Sequence, residues 1–275
     1  MNSTASPNIL LTGAGFTYDF GGFLASEMWA LIFNHQLVQK RPSVRRIMLE
    51  DFDYESVYER ILEDTTLVSE DKKAIKQAVF AAYSKLDAML INKPYGDRLT
   101  AVARLIDRFD GNDHSSGFFF TLNQDVFIER YLEFDKKLLI IPGIPCPPDL
   151  STKKYALENE DFIALPAKPE ITANISNLMS TKNFYYIKLH GSFNWKRSDG
   201  TDALVIGKDK KEQISREPLL RSYFDIFKAV LSQENKKLFV IGYGFGDPHI
   251  NEIIANSISV GSNLKCPKVS SLFCL

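Results

Sequence analysis

The sequence predicts an α/β protein with a Rossmann-like open, mostly parallel sheet, helices on both faces and a helical insertion. Three observations carry this. Four short apolar runs, at 9–11, 118–120, 185–187 and 238–241, each stop at a motif of small, amide or imidazole residues. The first run passes through Gly13-Ala14-Gly15 into a helical pattern over 23–33, the order of strand, glycine turn and helix that opens a βαβ unit. With 275 residues, 45% of them apolar and 12% aromatic, the chain can also furnish a substantial core. If the four runs are parallel strands, their motifs meet at the carboxyl edge of the sheet, where open α/β sheets bind ligands.

The remaining elements follow in order. Tyr54, Val57, Tyr58, Ile61 and Leu62 keep helical spacing behind Asp53 as N-cap, and Ile75, Val79, Ala82, Leu86 and Leu90 continue it after Ser69. Pro94-Tyr95-Gly96 interrupts the pattern before Leu99, Val102, Leu105 and Ile106 resume it. Residues 46–110 therefore read as a helical insertion or small domain, and 1–45 with 111–275 as the Rossmann-like domain. A strand at 116–122 leads to a short helix near Val126 and a strand at 138–141. The proline-rich stretch 142–182 then reads as a lid over the crevice or, equally, a tolerated surface insertion. From 183 the pattern gives a strand into His190, a short strand at 204–206, a helix over 219–231 and a strand at 238–241. A helix capped by Asp247 follows, with Pro248 in its first turn and Ile250, Ile253, Ile254 and Ile258 as its apolar face. A final strand is expected at 270–275.

Thirty-three basic against 34 acidic residues give a net charge of -1, so no global positive field calls for nucleic acid. Lys208-Asp209-Lys210-Lys211-Glu212 is broken by acids and reads as a solvated face. Cys146, Cys266 and Cys274 fit neither a disulfide framework nor paired zinc spacing, which predicts a reduced, cytoplasmic setting. No basic segment precedes Ile9 and no apolar run approaches ~18 residues, so no signal peptide, membrane span or membrane partner is expected.

Each motif has two readings. Gly13-Ala14-Gly15 lets a pyrophosphate approach backbone N–H groups, or is merely a tight strand-to-helix turn; Tyr18 stands where a dehydrogenase fingerprint has its third glycine. Asn123 and Asp125 can hold a ribose, a water or a carboxamide, or can cap the helix that follows. His190, before Gly191-Ser192, either faces ligand and titrates near neutral pH or is bonded to neighbouring backbone. Gly242-Tyr243-Gly244-Phe245-Gly246-Asp247 offers another close backbone approach, with Asp247 as a cap. Asp125, His190, Asp247 and His249 lack the spacing of a zincin site, and no metal is expected.

In this order the motifs resemble the sirtuin-like fold, and more closely its branch of NAD-hydrolysing domains found in prokaryotic antiviral defence systems. Gly13-Ala14-Gly15-Phe16-Thr17 is similar to the family's nucleotide loop. Thr121, Asn123 and Asp125 match its Thr-Gln-Asn-x-Asp motif, His190-Gly191 its catalytic His-Gly, and the run from Gly242 to Asn251 the late segment of the defence branch. Leu122 in place of Gln, the absent Ile-Pro-x-Phe-Arg segment and the missing zinc cysteines argue against protein deacylation.

The resemblance implies NAD as substrate, with its pyrophosphate on Gly13, Ala14, Gly15, Phe16 and Thr17 and its adenosine half near Gly242, Tyr243 and Gly244. It implies that Asp125 holds the nicotinamide carboxamide, Asn123 the ribose and attacking water, and that His190 is the base. The products would be nicotinamide and ADP-ribose, formed without a metal. The alternative is a catalytically silent NAD or ADP-ribose sensor. A homo-oligomer that depletes NAD on infection, under a partner ATPase or sensor protein, is the biological setting so implied.

Overall fold

The computed structural model describes residues 4–91, 95–112, 115–132, 138–139, 157, 161–178, 184–197, 199–259, 264–266 and 268–269. In chain order the elements are β1 Thr4–Thr12, α1 Gly15–Tyr18, α2 Ala25–Phe33, α3 Gln36–Gln39, α4 Pro42–Glu50, α5 Tyr54–Glu63, α6 Ser69–Ile91 and α7 Asp97–Ile106. There follow β2 Ser115–Thr121, α8 Phe127–Tyr131, β3 Leu138–Leu139, β4 Ile163–Ala164, α9 Lys168–Leu178, β5 Phe184–Lys188 and β6 Trp195–Lys196. The last are α10 Lys210–Arg216, α11 Pro218–Leu231, β7 Lys237–Ile241, α12 Pro248–Ser259 and β8 Lys268–Val269.

The main sheet has the order β3-β5-β2-β1-β7-β8, and every pairing in it is parallel. From β1 the chain works outward through β2 to β5, then returns to the other side of β1 as β7. The strand order thus reverses at β1, the topological switch point at which such sheets open a crevice.

Strict alternation divides the core. Ile9, Leu11, Phe118, Phe120, Tyr185, Ile187, Leu238 and Val240 face one side, packed with Leu219, Tyr223 and Phe227 of α11 and Ile250 and Ile253 of α12. Leu10, Phe119, Tyr186 and Ile241 face the other, packed with α2, α4, α5, α6 and α7 through residues such as Ile32, Ile47, Val57, Val79 and Val102. Both faces are covered, as an all-parallel sheet requires.

Asp53 accepts from Glu55 N at 3.1 Å and so starts α5 as the sequence predicts. The helical layer on this face begins with α2 and α3, which pack on α6 upstream of the boundary placed at residue 46. The strand expected at 204–206 is a correction. Ala203 N donates to Trp195 O (2.9 Å) and Val205 N to His190 O (3.2 Å), which makes this a buried extended segment tied to a loop. Ile258 is 49% exposed and is not part of the buried face of α12. Within 142–182, β4 pairs with β6 in a separate small sheet and α9 packs on α11, with Leu165 and Ile171 in the core beside them. Residues 142–148 and 270–275 lie outside the described residues.

Candidate active site

The parallel ladders continue one residue past the strands, so the motif loops leave the sheet at one level. Gly13 N donates to Ile241 O (3.1 Å), Leu122 N to Thr12 O (2.9 Å) and Leu189 N to Thr121 O (2.9 Å). The first and last loops then interlock. Gly15 N donates to Gly242 O at 2.9 Å, and a Cβ on Gly242, whose φ is +67°, would stand 2.2 Å from Phe16 N. Gly242 is therefore demanded by the chain's own packing. Gly244 and Gly246 differ: nothing lies within 4 Å of where their Cβ atoms would be, and both line the cleft.

That cleft has a volume of about 570 Å³, within the roughly 300–1,000 Å³ usual for small-molecule and cofactor sites. Gly13, Ala14, Gly15, Thr17, Asn123, Asp125, His190, Gly242, Tyr243 and Gly244 all line it. Phe16 does not. It is 1% exposed, with its ring edge-on to Phe119 at 6.1 Å, so this member of the nucleotide loop is a core residue.

Thr17 joins the first two motifs. Its hydroxyl accepts from Asn123 Nδ2 (3.3 Å) and donates to Asp125 Oδ2 (3.0 Å). Asp125 Oδ1 accepts from Phe127 N (3.0 Å) at the start of α8, so one carboxylate serves both the helix start and the cleft. Behind it, the Lys188 ammonium bonds to the Asp125 carbonyl and, at 2.9 Å, to Glu129; all three residues are buried. Burial raises Asp125 above the ordinary carboxylate range against the pull of Lys188, the Phe127 N–H and Thr17.

His190 lines the same cleft from the adjoining loop, 4% exposed, with its Nε2 2.9 Å from His249 Nε2. Burial lowers its pKa from 6.5 to about 3, with the Lys210 cation adding to the shift and Asp247 opposing it. His249 is lowered to about 4, again by burial first. The titration near neutral pH expected from the sequence is thus corrected, because desolvation keeps the imidazole uncharged.

Unfolded, both rings would take up protons near 6.5, whereas folded they stay neutral until about 4 and 3. The unfolded state binds more protons below 6.5, so stability is expected to fall as pH drops from there. Thermal melts across that range check this. His249→Gln should show a shallower decline, and identical slopes would refute the assignment.

Several site residues escaped the sequence reading. Lys210, assigned to a solvated face, has a side chain only 12% exposed and places Nζ 2.6 Å from both Glu55 Oε2 and Asp247 Oδ1. It joins α5 to the start of α12. The Asp247 side chain is spent on Lys210, and it is the Asp247 carbonyl that accepts from Ile250 and Asn251 N–H (both 3.1 Å). Gln124 donates from Nε2 to His190 O (3.2 Å) and Val205 O (2.8 Å) and accepts from the Tyr83 hydroxyl, tying both catalytic-motif loops to α6. An amide between Asn123 and Asp125 was a readable signal for it; nothing in the sequence pattern marks Tyr83 as its partner, or Glu55 and Asp247 as those of Lys210.

Among the described residues, His190, Asp247 and His249 offer three ligand atoms within 4.8 Å of one another. Two features oppose a cation there. The imidazole centroids are 5.1 Å apart while the Nε2 atoms are 2.9 Å apart, a difference close to two ring radii, so the nitrogens point at each other instead of converging on a third point. The Lys210 ammonium already occupies Asp247.

No described helix is long and apolar enough to cross a membrane. No curated protein matches the chain. Residues 117–272 match the SIR2-like domain, a family of NAD-dependent enzyme type, and that match runs from β2 through the Asn123, His190 and Asp247 loops; β1 and the glycine turn precede it. Spanning more than half of the sequence and three of the four motif loops that meet at the cleft, it makes the chain a member of the SIR2-like domain family.

Proposed function

We propose that the chain hydrolyses the nicotinamide–ribose bond of NAD to give nicotinamide and ADP-ribose. The observation that carries this reading is that Asn123 and His190, 67 positions apart in the sequence, line one cleft together with the interlocked glycine loops at the switch point. A neutral imidazole and an amide lining one cleft suit the activation and placement of a water. The pyrophosphate would lie along 13–17 and the adenosine half by Gly244 and Gly246, where the backbone is open. Asn123 would orient the ribose and the water, and Asp125 the carboxamide. Water adds its oxygen to the ribose carbon, the glycosyl bond breaks with its electron pair leaving on nicotinamide, and the water proton goes to His190.

By the same resemblance we propose a cytoplasmic, homo-oligomeric effector that depletes NAD in antiviral defence, under a partner ATPase or sensor. Incubation of the purified protein with NAD and separation of the products tests the chemistry. Equal amounts of nicotinamide and ADP-ribose are expected. Binding of NAD, seen as a rise in melting temperature, with no product would instead establish the silent sensor.

A further inference from the structure

The geometry points to His249 as a positioning residue for this hydrolysis: it accepts the His190 Nε2–H and thereby leaves the His190 Nδ1 lone pair as the base. The inference rests on the reading of His190 as base and adds which nitrogen acts and what holds it there.

The argument is one of proton counting. Across a head-on contact of 2.9 Å between two neutral imidazoles, one Nε2 donates and the other accepts. If His249 were the donor, His190 would spend its only lone pair on that bond and carry its proton on Nδ1, with nothing left to take a proton from water. Only the opposite direction leaves a base. After the transfer, His190 is an imidazolium whose Nε2–H already has its acceptor, so the charge forms without an unsatisfied donor in a buried site.

His249 is built to stay in place. Phe224 of α11 stacks on its ring at 5.6 Å and 28°. The first turn of α12 is anchored by the Tyr243 hydroxyl, which accepts from Asp247 N (3.0 Å) and donates to Asn251 Oδ1 (3.1 Å). Asn251 Nδ2 in turn donates to Phe245 O (2.8 Å). The charged groups around the pair are Lys210 and Lys211 of α10, Asp247 before α12, and Glu55 of α5 through Lys210. Asp247 favours the imidazolium and the lysines oppose it.

The test compares His249→Leu, which has no acceptor, with His249→Gln, whose Oε1 can accept. We expect Leu to lower kcat about 10- to 100-fold, part of the 10²- to 10⁴-fold that a placed base contributes, with KM for NAD little changed and with Gln restoring most of the rate. Equal losses in both variants accompanied by a raised KM, or a faster Leu variant, would overturn the inference. Ring ¹⁵N shifts of His190 in the unmodified protein give a readout that needs no turnover: the Nε2–H tautomer is expected, and the Nδ1–H tautomer would refute it. A protein that holds the expected tautomer yet releases no nicotinamide defeats the hydrolase reading alone.

Discussion

His190→Ala and Asn123→Ala should each lose nicotinamide release by about 10²- to 10⁴-fold while still gaining thermal stability on addition of NAD. The expectation follows from placement. Asn123 is fixed by Thr17, His190 by His249 and the Gln124 bridge, and both line the cleft. Neither residue holds the glycine loops together, so binding should outlast turnover. Near wild-type rates in both variants would remove the assignment. The pH profile is part of the same expectation: burial holds His190 near 3, so kcat/KM should stay level over about pH 5 to 8. A steep fall toward pH 5 would mean that the ring is hydrated in solution.

Asp87→Ala is expected to be the most destabilising single change in the scaffold around the site. Arg130 donates from Nε to Asp87 Oδ1 (2.6 Å) and from Nη2 to Oδ2 (2.7 Å), with both side chains at most 1% exposed, and Leu157 N adds a third bond to the same carboxylate (3.0 Å). Removing Asp87 breaks this buried ion pair and its three hydrogen bonds, a loss of about 3–5 kcal/mol. For a chain of this size that is a fall in Tm on the order of 10 °C. An unchanged Tm would refute this expectation. The pair also bears on the site: Asp87 lies one turn after Tyr83 on α6, so the helix grips α8 through Arg130 and the Asn123 loop through Gln124.

The four strands and their common edge were legible because a short continuous run of large apolar residues is a local signal, and each run ends at a residue type that tolerates a sharp turn. The cleft residues at the ends of those runs were legible for the same reason. What failed was of another kind. Phe16 carried the motif's address but its side chain turns down onto Phe119, a choice made by tertiary packing. Lys210 looked like one of many surface lysines, since its carboxylate partners lie 155 and 37 positions away, at Glu55 and Asp247. The acidity of His190 depends on how much water burial removes, which no spacing reveals. Residues 203–206 have the composition of a strand, yet the N–H groups of Ala203, Val205 and Ile206 pair with Trp195, His190 and the Gln213 side chain, a set of partners fixed by the tertiary fold.

The mutual seating of Gly13, Gly15 and Gly242 leaves no slack between the first and last loops. They form one stiff bed. Any adjustment to a guest of different length or bulk must therefore come from the facing wall, where Met28, Tyr54 and Leu86 border the same space on three separate helices. Selectivity among related dinucleotides would then be tuned by repacking helices and not by reshaping the bed.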